Sequence, residues 1–215
     1  MRLVDKYRPR RLQQIVGQDA AISKVTKLLN RRGFSGAAFW LDGPTGTGKT
    51  TIAQCIGYHL GLSGPRAWNW LELDGDKCKI DEVRALDDRA LTGTIFGDVW
   101  QLILVNEAHA MSDKAVQAWL TLLDRLPSKW VVVFTTTEEA GGLFGNFGSP
   151  LIGRCTHISL TNQGLCKPFA RLAHAIANRE GLNGKPITTY ETLVKKCKNS
   201  MRATLQVIDA GEMMD

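Results

Sequence analysis

Gly43-Pro44-Thr45-Gly46-Thr47-Gly48-Lys49-Thr50 is the stretch on which the reading of this chain turns. It follows a short apolar run, Ala37-Ala-Phe-Trp-Leu41, and leads into a helical pattern from Thr50 to Leu60. Strand, glycine-rich loop and helix in that order make a phosphate-binding loop of the Walker A type. Gly43, Gly46 and Gly48 let the backbone wrap around phosphates with its N–H groups turned inward. The dipole of the following helix favours negative charge at the same place. Lys49 is positioned to reach the β- and γ-phosphates, and the Thr50 hydroxyl to ligate Mg²⁺.

A second element lies downstream, Leu102-Ile103-Leu104-Val105-Asn106-Glu107-Ala108-His109. It has the form of a Walker B strand, whose polar end lies beside the phosphate loop at the carboxyl edge of a parallel sheet. Glu107 is placed to polarise an attacking water. Position 106 ordinarily supplies a carboxylate to the Mg²⁺ shell, and here it is Asn106, which keeps the oxygen acceptor and loses the charge. Three readings stay open: a tolerated natural variant, a chain that binds ATP and turns it over slowly, or an engineered substitution that traps the bound state. Thr135, Thr136 and Thr137 close a later apolar strand at the same edge, where a hydroxyl can hold the water or the γ-phosphate.

Outward from these motifs, apolar periodicity alternates between helix and strand. Helices are expected over Ala20–Asn30, Thr50–Leu60, Asp81–Arg89 and Asp113–Arg125. Strands are expected over Ala37–Leu41, Trp68–Leu73, Gln101–Asn106, Trp130–Thr135 and Thr156–Leu160. This predicts an α/β fold, a parallel five-stranded sheet sandwiched by helices, over residues 1–160. Beyond it, Lys167–Glu180, Tyr190–Lys198 and Met201–Ala210 read as three helices with no further strand. They form a small helical lid over residues 161–215.

Composition bounds the function classes. The 215 residues are 44% hydrophobic and 22% charged, ordinary for a globular protein. No apolar run reaches the ~18 residues of a membrane span, and the N-terminal residues lack the apolar stretch of a signal peptide, so a protein of the cytoplasm (or of the nucleus or a host cytoplasm), not secreted and without a membrane partner, is expected. Cys55, Cys78, Cys155, Cys166 and Cys197 are scattered and form no C-x-x-C pair, which argues against a disulfide framework or a zinc site. The net charge of +6, from 27 basic and 21 acidic residues, suits contact with a polyanion.

Taken together, the motifs resemble those of a AAA+ ATPase of the clamp-loader family, similar to replication factor C small subunits and to bacterial and phage clamp-loader ATPase subunits. Asp5-Lys6-Tyr7-Arg8-Pro9-Arg10 followed by Ile15-Val16-Gly17-Gln18 resembles the N-terminal signature that contacts adenine. Ile80-Asp-Glu-Val-Arg84 resembles the segment entering a helix that faces DNA. Gln117-Ala-Trp-Leu120 resembles the helix whose Gln couples DNA contact to the ATP site. Thr136 falls at the sensor-1 position and Ser200-Met-Arg202-Ala at sensor 2. Ser149-Pro-Leu-Ile-Gly153-Arg154-Cys155 resembles the Ser-Arg-Cys motif, with Gly153 in place of Ser.

The resemblance implies ATP/ADP and Mg²⁺ as ligands, the metal held through Thr50 and Asn106. Nucleotide contacts would run through Tyr7, Arg8, Pro9, Val16, Gly17, the loop from Gly43 to Thr50, Thr51, Asn106, Thr136 and Arg202. Catalysis falls to Lys49, Glu107 and Arg154, the last as an arginine finger entering a neighbouring subunit's site. Lys77, Lys79, Arg84 and Lys114, at the starts of two helices, are the expected contacts to DNA such as a primer–template, independent of sequence. The implied partners are other copies or loader subunits and a sliding clamp. Bacterial loaders carry a cysteine-rich zinc module after the Walker A helix, where this chain has only Cys55 and Cys78. The family's collar domain is not represented before Asp215, so assembly is expected either through the AAA+ faces alone or with a partner's collar. Two other functions fit the same motifs: a nucleotide-dependent DNA-binding or assembly switch with weak hydrolysis, and a motor in recombination, helicase loading or transposition.

Overall fold

The computed structural model describes residues 1–91, 99–137 and 148–214. Its centre is β1 (Gly36–Asp42), buried from Ala38 through Asp42, as a strand covered on both faces should be. β2 (Trp70–Asp74), β3 (Gln101–Asn106), β4 (Trp130–Thr135) and β5 (Thr156–Ser159) complete a sheet of order β2-β3-β4-β1-β5. Every pairing is parallel, so the expected five-stranded parallel sheet is the observed one.

The helices α2 (Asp19–Leu29), α3 (Lys49–His59), α4 (Ile80–Leu91) and α5 (Asp113–Asp124) carry the apolar spacing anticipated for them, within a residue or two at each end. One face of the sheet packs on α2 and α3 through Val25, Phe39, Leu41, Ile52, Ile56 and Leu104. The other packs on α4 and α5 through Trp40, Val83, Val105, Val116, Trp119 and Phe134. Trp119 meets Phe134 edge-on at 5.1 Å, and its indole N–H donates to the Cys78 Sγ at 3.3 Å. Each face thus has its own core, and the carboxyl ends of β1, β3 and β4 emerge between them.

Beyond the sheet, α7 (Cys166–Glu180), α8 (Ile187–Lys196) and α9 (Met201–Asp209) build a third core of Phe169, Ala173, Tyr190, Val194, Leu205 and Ile208. Among the described residues, the short α-helices α1 (Leu3–Lys6) and α6 (Gly148–Gly153) have no counterpart among the expected elements. α1 sends Leu3 into this third core, far from it in sequence, and the Leu3 N–H donates to Asp209 Oδ2 at 3.3 Å. The chain's beginning is therefore clasped to its helical end.

Candidate functional site

Between the sheet and the helical part lies a cavity of about 680 Å³ lined by several separate segments. They are the N-terminal residues including Tyr7, Arg8, Pro9 and Val16; the loop residues Thr45 through Thr51; Asn106 and Glu107; Thr137; and the helical residues Phe169, Arg179, Met201 and Arg202 among others.

The loop is folded on itself. Lys49 is buried and its ammonium donates to the carbonyls of Gly43 at 2.6 Å and Pro44 at 3.0 Å. Burial pushes its pKa below the ordinary lysine value, while the carboxylates of Glu107 and Asp42 oppose that shift. Thr47 donates to the Pro44 carbonyl at 2.8 Å. Gly46 has φ +84°, and a Cβ there would lie 2.7 Å from the hydroxyl of Ser200. Ser200 caps α9 by accepting from the Ala203 N–H at 3.3 Å, so the phosphate loop and the start of α9 are in direct contact.

Thr50 and Asn106 meet as their motifs require. The Thr50 hydroxyl donates to Asn106 Oδ1 at 3.1 Å, and Thr135 donates to the same oxygen at 3.4 Å. The Thr50 and Asn106 oxygens, with Glu107 beside them, are a hard-oxygen set that suits Mg²⁺, which binds through few protein ligands, waters and substrate phosphates. Glu107 is exposed to the cavity and held in the left-handed region, φ 48° and ψ 51°, a conformation costing about 1–3 kcal/mol for a non-glycine residue. Such strain is retained where neighbours over-determine it: the Gly75 N–H donates to the Asn106 carbonyl at 2.7 Å, and Thr137 donates to Glu107 Oε2 at 3.4 Å.

The three successive threonines have different surroundings. Thr136 is fully buried and its hydroxyl meets His109 Nδ1 at 3.0 Å, whereas Thr137 stands on the cavity wall against Glu107. Alternation along an extended strand turns adjacent side chains to opposite sides, and three identical residues hide that phase. His109, which the sequence reading passed over, links the two: its Nδ1 is also 3.5 Å from Glu107 Oε2. The signal for it was present as a polar residue two positions past the acid.

At the far wall the N-terminal segment is pinned. Tyr7 donates to Glu180, Lys6 donates to the same carboxylate at 2.7 Å, and Arg179 lies 5.9 Å from the Tyr7 ring centroid. These cations and the phenol hold the Glu180 carboxyl below its usual pKa. Arg8 donates to Gln54 at 3.4 Å, and the Pro9 carbonyl accepts from the Cys55 thiol, whose pKa burial pushes up to about 12. Gln18, buried, donates to the carbonyls of Thr47 at 3.3 Å and Thr161 at 2.8 Å. It ties the signature to both the loop and the chain entering the helices. Gly17 is not on the cavity wall but against Leu165.

Arg154 lies outside this cavity, on the exposed surface after α6. The four candidate DNA contacts, Lys77, Lys79, Arg84 and Lys114, are all exposed near the starts of α4 and α5, which follow the carboxyl ends of β2 and β3. Lys77 is paired with Asp74 at 3.0 Å and Arg84 with Asp81 at 3.8 Å; these local partners compete with any phosphate.

Residues 39–162 match the family model described as "ATPase family associated with various cellular activities (AAA)". Over 223 aligned residues the chain is 27% identical to the replication factor C subunit 3 of Blastobotrys adeninivorans, covering 98% of this chain and 62% of that protein. It is 28% identical over 223 residues to the replication factor C small subunit of Methanosarcina acetivorans, with 99% and 61% covered. The DNA polymerase III subunit gamma/tau of Mycobacterium tuberculosis is 25% identical over 230 residues, covering 97% of this chain and 38% of that one. The chain thus spans about three fifths of the length of these two replication factor C relatives. In fold it is similar to a Holliday junction branch migration motor, RuvB of Thermotoga maritima, with a TM-score of 0.70 at 20% identity over 94% of this chain and 64% of that one.

Proposed function

The chain belongs to the AAA family of ATPases, and on that footing we propose that it binds ATP in the 680 Å³ cavity and hydrolyses it where two subunits meet, as a clamp-loader-like component of DNA replication. The observation that carries this reading is the cavity wall itself. Phosphate loop, Walker B end, N-terminal signature and α9 converge on one space, while the candidate finger Arg154 lies outside it. Within that space Lys49 and Arg202 serve the phosphates, and a neighbour's Arg154 would add a further cation from outside for the charge that develops on the γ-phosphate.

In this mechanism the triphosphate replaces the Gly43 and Pro44 carbonyls as the partner of Lys49, and the loop N–H groups hold its oxygens. Thr50 and Asn106 would hold Mg²⁺, which when bound neutralises charge between the β- and γ-phosphates. Glu107 accepts the proton of a water whose oxygen attacks the γ-phosphorus, and Thr137 steadies that carboxylate. ADP departs with the electron pair of the broken P–O bond. Arg202 reads the phosphates from α9, and the base lies against the Tyr7–Pro9 segment. Complementation tests the shared site: Glu107→Gln and Arg154→Ala should each leave only residual steady-state hydrolysis, and mixing the two proteins should restore turnover that neither has alone. No recovery on mixing would count against a site completed in trans.

The names of the relatives, replication factor and DNA polymerase subunits, support DNA as the surface acted upon; other loader subunits and a sliding clamp are the partners that the clamp-loader reading implies. Absence of a sliding clamp from every pull-down with primer–template DNA and ATP would favour another process. A second reading is favoured by Asn106 Oδ1, a neutral acceptor already engaged by Thr50 and Thr135. In it ATP is a switch that orders the assembly and is hydrolysed slowly. Steady-state turnover of this chain against Asn106→Asp separates the two: robust turnover in the unaltered chain removes the switch.

A further inference from the structure

We propose that Asp124 is the positioning residue for Arg154, fixing the guanidinium so that its outer edge is presented to the neighbouring subunit's γ-phosphate. The proposal rests on the reading of Arg154 as the residue that acts in trans. An arginine on an exposed surface samples many rotamers and would arrive at a phosphate disordered. Arg154 does not stand free. Its Nε donates to Asp124 Oδ1 at 2.6 Å and its Nη2 to Oδ2 at 3.0 Å, a two-point pairing along one edge of the planar group. Its Nη1 donates to the Pro150 carbonyl at 3.1 Å, one turn back in α6.

These bonds use the Nε edge and one further N–H, and they leave one N–H on each of Nη1 and Nη2. Those two N–H groups, on the side away from the Nε edge, can meet oxygens of a phosphate. Asp124 therefore occupies the edge the phosphate does not need. The carboxylate is itself well mounted. It ends α5, which is anchored in the core by Val116, Trp119 and Leu122, and the next residue, Arg125, donates through Nε to Asp87 of α4 at 3.0 Å. A plain surface ion pair would tie α6 to α5 and do no more; the N–H groups left over and the rigid mount are what a positioning role adds.

Three variants decide it: Asp124→Ala, Asp124→Glu and Asp124→Ala combined with Arg154→Ala. Each is assayed as the assembled protein with DNA and ATP. Asp124→Ala should lower kcat by about tenfold with KM for ATP unchanged, and Asp124→Glu should recover most of it. In the Arg154→Ala background the Asp124→Ala change should have no further effect on kcat. The ¹⁵N Nε–H resonance of Arg154, read in the chain alone, should be protected from solvent exchange and lose that protection in Asp124→Ala. An unchanged or raised kcat in Asp124→Ala, or an equal loss in the Arg154→Ala background, overturns the proposal, as does an unprotected Nε–H in the unaltered chain. An Arg154→Ala protein with full kcat sinks the trans reading and this proposal with it. Full kcat in Asp124→Ala alone, beside an inactive Arg154→Ala, sinks only the role of Asp124.

Discussion

Gly46→Ala should destabilise the protein twice over, and the two parts can be separated. The first part is conformational: Gly46 has φ +84°, and a Cβ in the left-handed region costs about 1–2 kcal/mol. The second is contact. The new methyl would lie 2.7 Å from the Ser200 hydroxyl and 2.9 Å from its Cβ, so α9 must withdraw, an overpacking cost of about 1–3 kcal/mol. Together they amount to about 2–5 kcal/mol, or a fall in Tm of roughly 4–20 °C for a chain of this size. Ser200→Gly alone should cost only a few tenths of a kcal/mol, because glycine is a fair N-cap. In the double variant the hydroxyl and Cβ are gone and only the backbone Cα at 3.3 Å is left, so most of the contact part, about 1–3 kcal/mol, returns while the conformational part stays. Thermal unfolding followed by near-ultraviolet circular dichroism, on the four proteins of the cycle, measures the coupling. Losses that add within error would refute the contact between the phosphate loop and α9, and with it the idea that the lid rests directly on the loop.

Gly57→Ala, in the middle of α3, should lower stability even though Ala ordinarily favours a helix by about 1 kcal/mol. Its Cβ would lie 2.4 Å from the Trp70 ring and 2.8 Å from Leu102; an unchanged or higher Tm would contradict the packing described. Glu180→Gln should flatten the acid limb of the Tm–pH curve. The carboxyl is held below its ordinary pKa by Lys6 and Tyr7, so its contribution is full above about pH 4.3, the unfolded value, and is lost as pH falls through the lower folded value. Parallel curves for the two proteins below pH 5 would show that the clasp contributes nothing there. In DNA titrations across a salt series, Lys79→Ala and Lys114→Ala should each reduce the slope of log K against log salt by about 1. Lys77→Ala and Arg84→Ala should change it less, since Asp74 and Asp81 already engage those side chains; slopes equal to the unaltered chain for all four would remove this surface as the DNA contact.

The sheet and its helices were legible because their signals are local. A buried strand running into Gly43 and the apolar spacing of α5 depend on neighbours a few residues away. What stayed hidden depends on residues far apart. Leu3 joins the core of α7–α9, and a four-residue helix has no periodicity to announce it. Asp124 finds Arg154 across 30 residues of sequence, and Gln18 finds Thr161 across 143. The different surroundings of Thr136 and Thr137 were hidden for another reason, since the identity of three successive residues conceals which one lines the cavity. The pairing of Lys77 with Asp74 and of Arg84 with Asp81 was readable from their spacing of three, and it tempers the charge count at the helix starts.

α5 begins at the Ser112 cap, just past Glu107 and its short turn, and it ends on Asp124. On the reading given above, one end of this helix belongs to the chain's own ATP site and the other to the site of the next subunit, about 18 Å away along a single rigid rod. Successive sites in an assembly would then be geared together rather than independent. A small tilt of the rod as one nucleotide is gripped would advance or retract the arginine offered to the next, and hydrolysis would acquire an order and a direction around such an assembly.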